Sequence, residues 1–129
     1  MMSVSDALSL PRPEAQHRMA YGPESQQFGE LRLPDGAGPH PVAIVIHGGC
    51  WLADYDLGYM SSLAAALTAD GIATWSIEYR RVGDDGGGWP GTFDDVAAAA
   101  DHLREIAADH ALDLERVVTV GHSAGGHLA

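Results

Sequence analysis

A doubly wound, mostly parallel α/β sheet with crossover helices is the fold class that this 129-residue sequence predicts. Two apolar runs of strand composition, residues 42–46 (Val-Ala-Ile-Val-Ile) and 72–77, lack the alternation of a half-exposed strand, as expected where both faces of a parallel sheet are covered. Helical stripes separate the apolar segments. The resulting order of strand, helix, strand, helix, strand and turn places helices on both faces once the crossovers are right-handed.

Residues 1–27 hold Pro11, Pro13, Gly22 and Pro23 among mixed polar side chains and read as an irregular lead-in, with the domain proper running over 28–129. Residues 28–33 alternate Leu31 and Leu33 with Glu30 and Arg32, the period of a half-exposed strand, and Pro34-Asp35-Gly36 turns the chain. After the buried run at 42–46, Leu57, Met60, Ala64 and Leu67 recur at helical spacing over 57–70. Asp56 is placed to cap this helix and Gly71 to stop it. The next strand leads into Glu78-Tyr79-Arg80-Arg81 and a loose loop over 83–91 with three consecutive glycines. Thr92 is the expected cap of a second helix that faces inward through Phe93, Val96 or Ala97, Ala100, Leu103 and Ala107, with Asp94 and Asp95 near its positive end. Residues 116–121 form a third parallel-type strand. No internal repeat is visible.

Eighteen acidic residues against seven Lys and Arg give a formal charge of −11, which argues against nucleic acid or an anionic membrane surface as partner. No run approaches the ~20 apolar residues of a membrane-spanning helix, and residues 1–19 lack a basic start followed by an apolar stretch, so a cytoplasmic location is the expectation. The single cysteine, Cys50, excludes an internal disulfide. Asp54, Asp56, Asp84 and Asp85 match no cation-wrapping loop, and neither metal nor cofactor is expected. Arg80 reads as a structural residue that makes an ion pair or hydrogen bond near the sheet edge.

The strongest chemical signal is Gly121-His122-Ser123-Ala124-Gly125-Gly126, directly after an expected buried strand and before a helix. A nucleophilic serine is raised on a sharp turn that crowds its neighbours against backbone, and Gly121 and Gly125 stand two residues to either side. The helix start aims the Ala124 N–H at a developing oxyanion. The plainer reading is a tight turn of another α/β fold, phosphate-binding included, but the P-loop lysine and the GxGxxG spacing are missing. His47-Gly48-Gly49 follows the first buried strand. Alone it is an ordinary strand-end turn; adjacent parallel strands would bring it to the same carboxyl edge as Ser123.

Together, His-Gly-Gly-Cys-Trp at 47–51, Ser-Ile-Glu-Tyr-Arg at 76–80, Gly-Trp-Pro-Gly at 88–91 and Gly-His-Ser-Ala-Gly-Gly-His-Leu-Ala at 121–129 resemble α/β-hydrolases of the kynurenine-formamidase-like and hormone-sensitive-lipase-like esterase group. The resemblance implies Ser123 as nucleophile, and backbone N–H groups of Gly49, Cys50 and Ala124 as the oxyanion hole. It further implies that His47 holds that loop, with Gly48, Trp51, Gly121 and Gly125 in support. The implied reaction is hydrolysis of a small-molecule ester or amide: a carboxylic ester first, an arylformamide next. A prolyl-oligopeptidase-type peptidase and a non-catalytic binding domain or inactive fragment are the alternatives.

In this fold an Asp or Glu and then a His follow the serine along the chain, so they are expected beyond Ala129, in a protein truncated after the elbow and inactive as it stands. The histidines at hand do not replace them. His122 should point away from Ser123, His127 should face neighbouring elements, and His102 and His110 belong to a helix.

Overall fold

The computed structural model describes residues 13–49 and 57–129. Five strands, β1 (His17–Ala20), β2 (Phe28–Arg32), β3 (His40–Ile46), β4 (Ala73–Ile77) and β5 (Leu112–Gly121), form one sheet in the order β1-β2-β4-β3-β5. β3 pairs in parallel with β4 and β5, while β2 is antiparallel to both β4 and β1, so β2 alone runs against the other four. The mixed, mostly parallel sheet matches the expected class.

β1 lies inside the stretch that reads as irregular. Its His-Arg-Met-Ala has no apolar alternation to betray it; the open edge of β2 supplies the pairing, and Met19 packs against the core. The Val42–Ile46 run is buried on both faces as its composition requires. Val42, Ile44 and Ile46 join Leu31, Trp75, Ile77, Ala99 and Leu103 on one face, while Val45 packs with Met60 and Ala64 on the other. Period-two alternation along one strand thereby fills two separate cores.

A 3-10 turn, Leu57–Met60, precedes α1 (Ser61–Ala69). Gly71 closes α1 in a Schellman arrangement: its N–H donates to the Thr68 carbonyl at 3.0 Å, and that of Ile72 to the Leu67 carbonyl at 3.1 Å. Asp56, the expected cap, lies outside the described residues.

α2 (Gly91–Ile106) faces the sheet through Thr92, Asp95, Ala99, Leu103 and Ile106, with Val96 and Ala100 at the margin. The inward face is thus rotated from the stripe that runs through Phe93 and Ala97. Two polar anchors set the rotation: Trp75 Nε1 donates to the Ala99 carbonyl at 2.9 Å, and Asp95 is drawn inward by Arg80. Thr92 does not cap the helix. Its hydroxyl accepts from the Gly88 N–H and donates to the Arg80 carbonyl, which ties the glycine loop to the end of β4. Asp84, paired with Arg81 at 3.2 Å, pins the same loop from its other end.

Candidate active site

The register of the sheet brings the two glycine-containing turns together. Ile46 is level with Ile77 of β4 and with Gly121 of β5, so the next residues, Glu78, His47 and His122, stand in a row across the carboxyl edge. The His122 N–H donates to the Ile46 carbonyl at 3.2 Å and holds the turn after β5 against the end of β3.

Ser123 follows at φ 55°, ψ −116°, a strained backbone for a residue with a Cβ, and leads into α3 (Ala124–Leu128). The flanking glycines are there for close approach. A Cβ on Gly121 would overlap the Gly125 carbonyl, and one on Gly125 would lie against the Ile46 and His47 carbonyl oxygens. Ser123 is exposed, whereas Ala124 and Gly125 are buried. The N–H groups of Gly125 and Gly126 donate to the His122 and Ser123 carbonyls, each at 2.9 Å, and the Ala124 amide, first of α3, has no acceptor within its own helix.

Across from the elbow, Gly48 packs so closely that a Cβ there would sit 3.0 Å from Ser123 Cβ and would overlap the His122 carbonyl. Gly49 adopts φ 109°, which only glycine enters freely. Its amide makes no hydrogen bond among the described residues. Cys50 and Trp51, the other two members of the expected loop, lie outside the described residues.

His47 is fully buried and presents each ring nitrogen to an acceptor, Nδ1 to the Gly48 carbonyl at 2.9 Å and Nε2 to Glu78 Oε1 at 2.6 Å. It stacks on Tyr79 with ring centroids 4.4 Å apart, and the Tyr79 hydroxyl donates to the His47 carbonyl at 2.7 Å. Burial first, and the Glu78 charge second, push the Tyr79 hydroxyl far above its usual range and keep it a donor. Glu78 also accepts from the Leu57 and Tyr79 N–H groups at 3.2 and 3.1 Å. Sequence reasoning gave Glu78 and Tyr79 no role beyond membership of the Ser-Ile-Glu-Tyr-Arg motif, and it did not single out Tyr59. The signal for Glu78 was available, since it follows its strand at the same level as His47.

Around the serine His122 turns away as expected, whereas His110 lies in the turn past the end of α2 rather than in that helix. His122 points its Nδ1 at the Tyr59 hydroxyl, His127 sets its ring edge-on to Phe93, and His102 pairs with Glu105 beside Trp75. None hydrogen-bonds to Ser123 among the described residues. Arg80 grips Asp95 through Nε and Nη2 at 2.9 and 2.8 Å, the structural ion pair that its position implied.

Sheet order, crossover helices and the strained serine between β5 and α3 define an α/β-hydrolase fold. Esterase B from Lactobacillus rhamnosis has the same arrangement over 93% of this chain and 40% of its own, with a TM-score of 0.78 and 28% sequence identity. The BD-FAE family profile matches residues 30–129, and the chain belongs to that family. Among curated relatives it is 27% identical, over 91% of its length, to the probable isoprenylcysteine alpha-carbonyl methylesterase ICMEL1 of Arabidopsis thaliana. It is 30% identical, over 97% of its length, to esterase LipQ of Mycobacterium tuberculosis. The chain spans 24% and 32% of those two relatives. The esterase resemblance read from the motifs agrees with all four. No helix among the described residues is long and apolar enough to cross a membrane.

Proposed function

We propose that this chain carries the nucleophile and the oxyanion-binding loop of a serine hydrolase that cleaves carboxylic esters through an acyl-enzyme on Ser123. The observation that carries the reading is the Ser123 backbone at φ 55°, held between glycines whose positions admit no Cβ. Such strain persists only where the surrounding structure enforces it, and here it lifts an exposed hydroxyl above a helix N-terminus. Ser123 Oγ attacks the ester carbonyl, and its proton passes to a base. The amides of Ala124 and Gly49, with Cys50 as a third donor, receive the negative charge that develops on the carbonyl oxygen. The alkoxide leaves with a proton, and water then releases the acid from Ser123. The base and its carboxylate partner are sought outside the described residues, because no described histidine reaches the serine. Esters are favoured over amides because the similar proteins are named esterases and a methylesterase.

A fluorophosphonate probe applied to the full-length protein tests this. Covalent labelling at Ser123 that disappears in Ser123→Ala, with hydrolysis of a short-chain aryl ester lost alongside, is the expected result. A folded full-length protein that the probe leaves untouched would overturn the proposal, and faster turnover of an arylformamide than of the matched ester would overturn its substrate class.

A further inference from the structure

We infer that Tyr59 is a positioning residue, locking the Gly48-Gly49 turn to the elbow that carries Ser123 through a relay from the Gly48 N–H to the Tyr59 hydroxyl to His122 Nδ1. The inference rests on the reading of Ser123 as nucleophile.

Tyr59 comes from the 3-10 turn ahead of α1, and its hydroxyl reaches the two turns that follow β3 and β5. The direction of the first bond is fixed by its donor. An amide can only donate, so the Gly48 N–H makes the phenol oxygen an acceptor at 2.5 Å. The hydroxyl proton can then go to His122 Nδ1, 2.9 Å away, in the tautomer that carries the ring proton on Nε2. Burial raises the Tyr59 hydroxyl above its ordinary range, against a smaller opposing effect of the Gly48 amide, so the donor proton stays in place at neutral pH. The ring stands edge-on to both His47 and His122, with centroids 6.2 and 5.7 Å away.

The relay has a chemical consequence. With the Gly48 N–H turned back onto Tyr59, the amide next along the loop, that of Gly49, is left to face the reacting oxygen beside the amide of Ala124. The spacing between these two amides depends on how the loop and the elbow are held, and the Tyr59 hydroxyl touches both sides. Glu78 supports it from below by accepting the Leu57 N–H at the start of the same 3-10 turn.

The test compares full-length wild type, Tyr59→Phe, His122→Ala and the double variant by kcat and KM on a short-chain ester, by rate of fluorophosphonate labelling, and by melting temperature. Tyr59→Phe keeps the ring and removes only the hydroxyl. Loss of one well-aimed oxyanion donor costs about 100- to 1,000-fold in kcat, so misalignment should cost about 10- to 100-fold, with KM within about twofold. His122→Ala should act alike, and the double variant should be no worse than the poorer single, because both break one relay. A folded Tyr59→Phe protein with kcat within about twofold of wild type overturns the inference, as does a loss confined to KM. If Tyr59→Phe does not fold, His122→Ala decides by the same criteria. Absent labelling of wild type sinks the parent proposal, whereas labelling at equal rates in wild type and Tyr59→Phe sinks this inference alone.

Discussion

Replacing Asp95 by Ala should remove about 3–5 kcal/mol of stability, the usual consequence of deleting one partner of a buried ion pair. The figure can be rebuilt from the contacts. Asp95 is 1% exposed and accepts four hydrogen bonds, from the Arg80 backbone N–H, Nε and Nη2 and from Gln27 Nε2, all between 2.8 and 2.9 Å. The Arg80 guanidinium is 20% exposed and can turn to water once its partner is gone. The Arg80 amide and the Gln27 side chain cannot, and each buried unsatisfied group costs about 1–3 kcal/mol, so two give about 2–6. Urea unfolding of full-length wild type and variant measures the difference as a shift of midpoint at constant slope. A pH series adds a second constraint. Burial by itself raises the Asp95 carboxyl, but the hydrogen bonds from Arg80 and Gln27 outweigh it and leave the group below its usual value. An acid that is stronger when folded lends stability above its unfolded pKa of about 3.9 and loses it as pH falls through the lower folded value, so the gap between wild type and Asp95→Ala should narrow below about pH 4. A loss under about 1 kcal/mol at pH 7, or a gap unchanged down to pH 3, would refute the account of Asp95 as the clasp between β4 and α2.

Gly125→Ala should abolish fluorophosphonate labelling and destabilise by about 1–3 kcal/mol or more, because the added methyl meets the backbone oxygens of Ile46 and His47, which no side-chain rotation relieves. Gly126→Ala is its control: there the nearest atom is the Gly121 oxygen at 3.5 Å, and labelling and melting temperature should survive. Arg32→Met should leave stability within about 1 kcal/mol of wild type or raise it, since Nε and Nη1 of this buried guanidinium have no partner among the described residues and burial lowers its pKa against a smaller opposing effect of Glu30. A loss above about 2 kcal/mol on urea unfolding would show that the bond from Nη2 to the Pro13 carbonyl carries more than one ordinary contact.

Which parts of this structure were legible depended on whether a residue's partner was near it in sequence or set by the sheet. The run at 42–46 declares its burial on both faces, and the elbow glycines declare a close approach, because each pattern is local. Asp95 is the opposite case. In sequence it is one of two acids in the first turn of a helix, where charge complements the helix dipole at the surface, and only Arg80 and Gln27, brought in by β4 and by the chain before β2, turn it inward. The helix stripe was therefore misplaced by the partner of Asp95 rather than by the apolar period itself. Tyr59 was hidden for a related reason: between Leu57 and Met60 it is one more apolar-sided residue, and the 3-10 geometry of that turn sends it toward the loops.

The same distinction explains why the site is precise although it is made of turns. Glu78, His47 and His122 are each the first residue past the level at which β4, β3 and β5 are in register, so hydrogen bonding in the sheet fixes their row before any side chain is considered. A slip of one residue in β3 would exchange the two faces of the strand and break both cores, so its register is enforced by the burial of Val42, Ile44 and Ile46 on one side and Val45 on the other. Ser123 and Gly49 lie two and three residues beyond that enforced level, within reach of short local ties. The His47–Glu78 bond steadies one turn, the His122 amide on the Ile46 carbonyl steadies the other, and Tyr59 joins them. The strain at Ser123 is then borne by a sheet whose alternatives are all worse, which is the condition under which a strained residue persists.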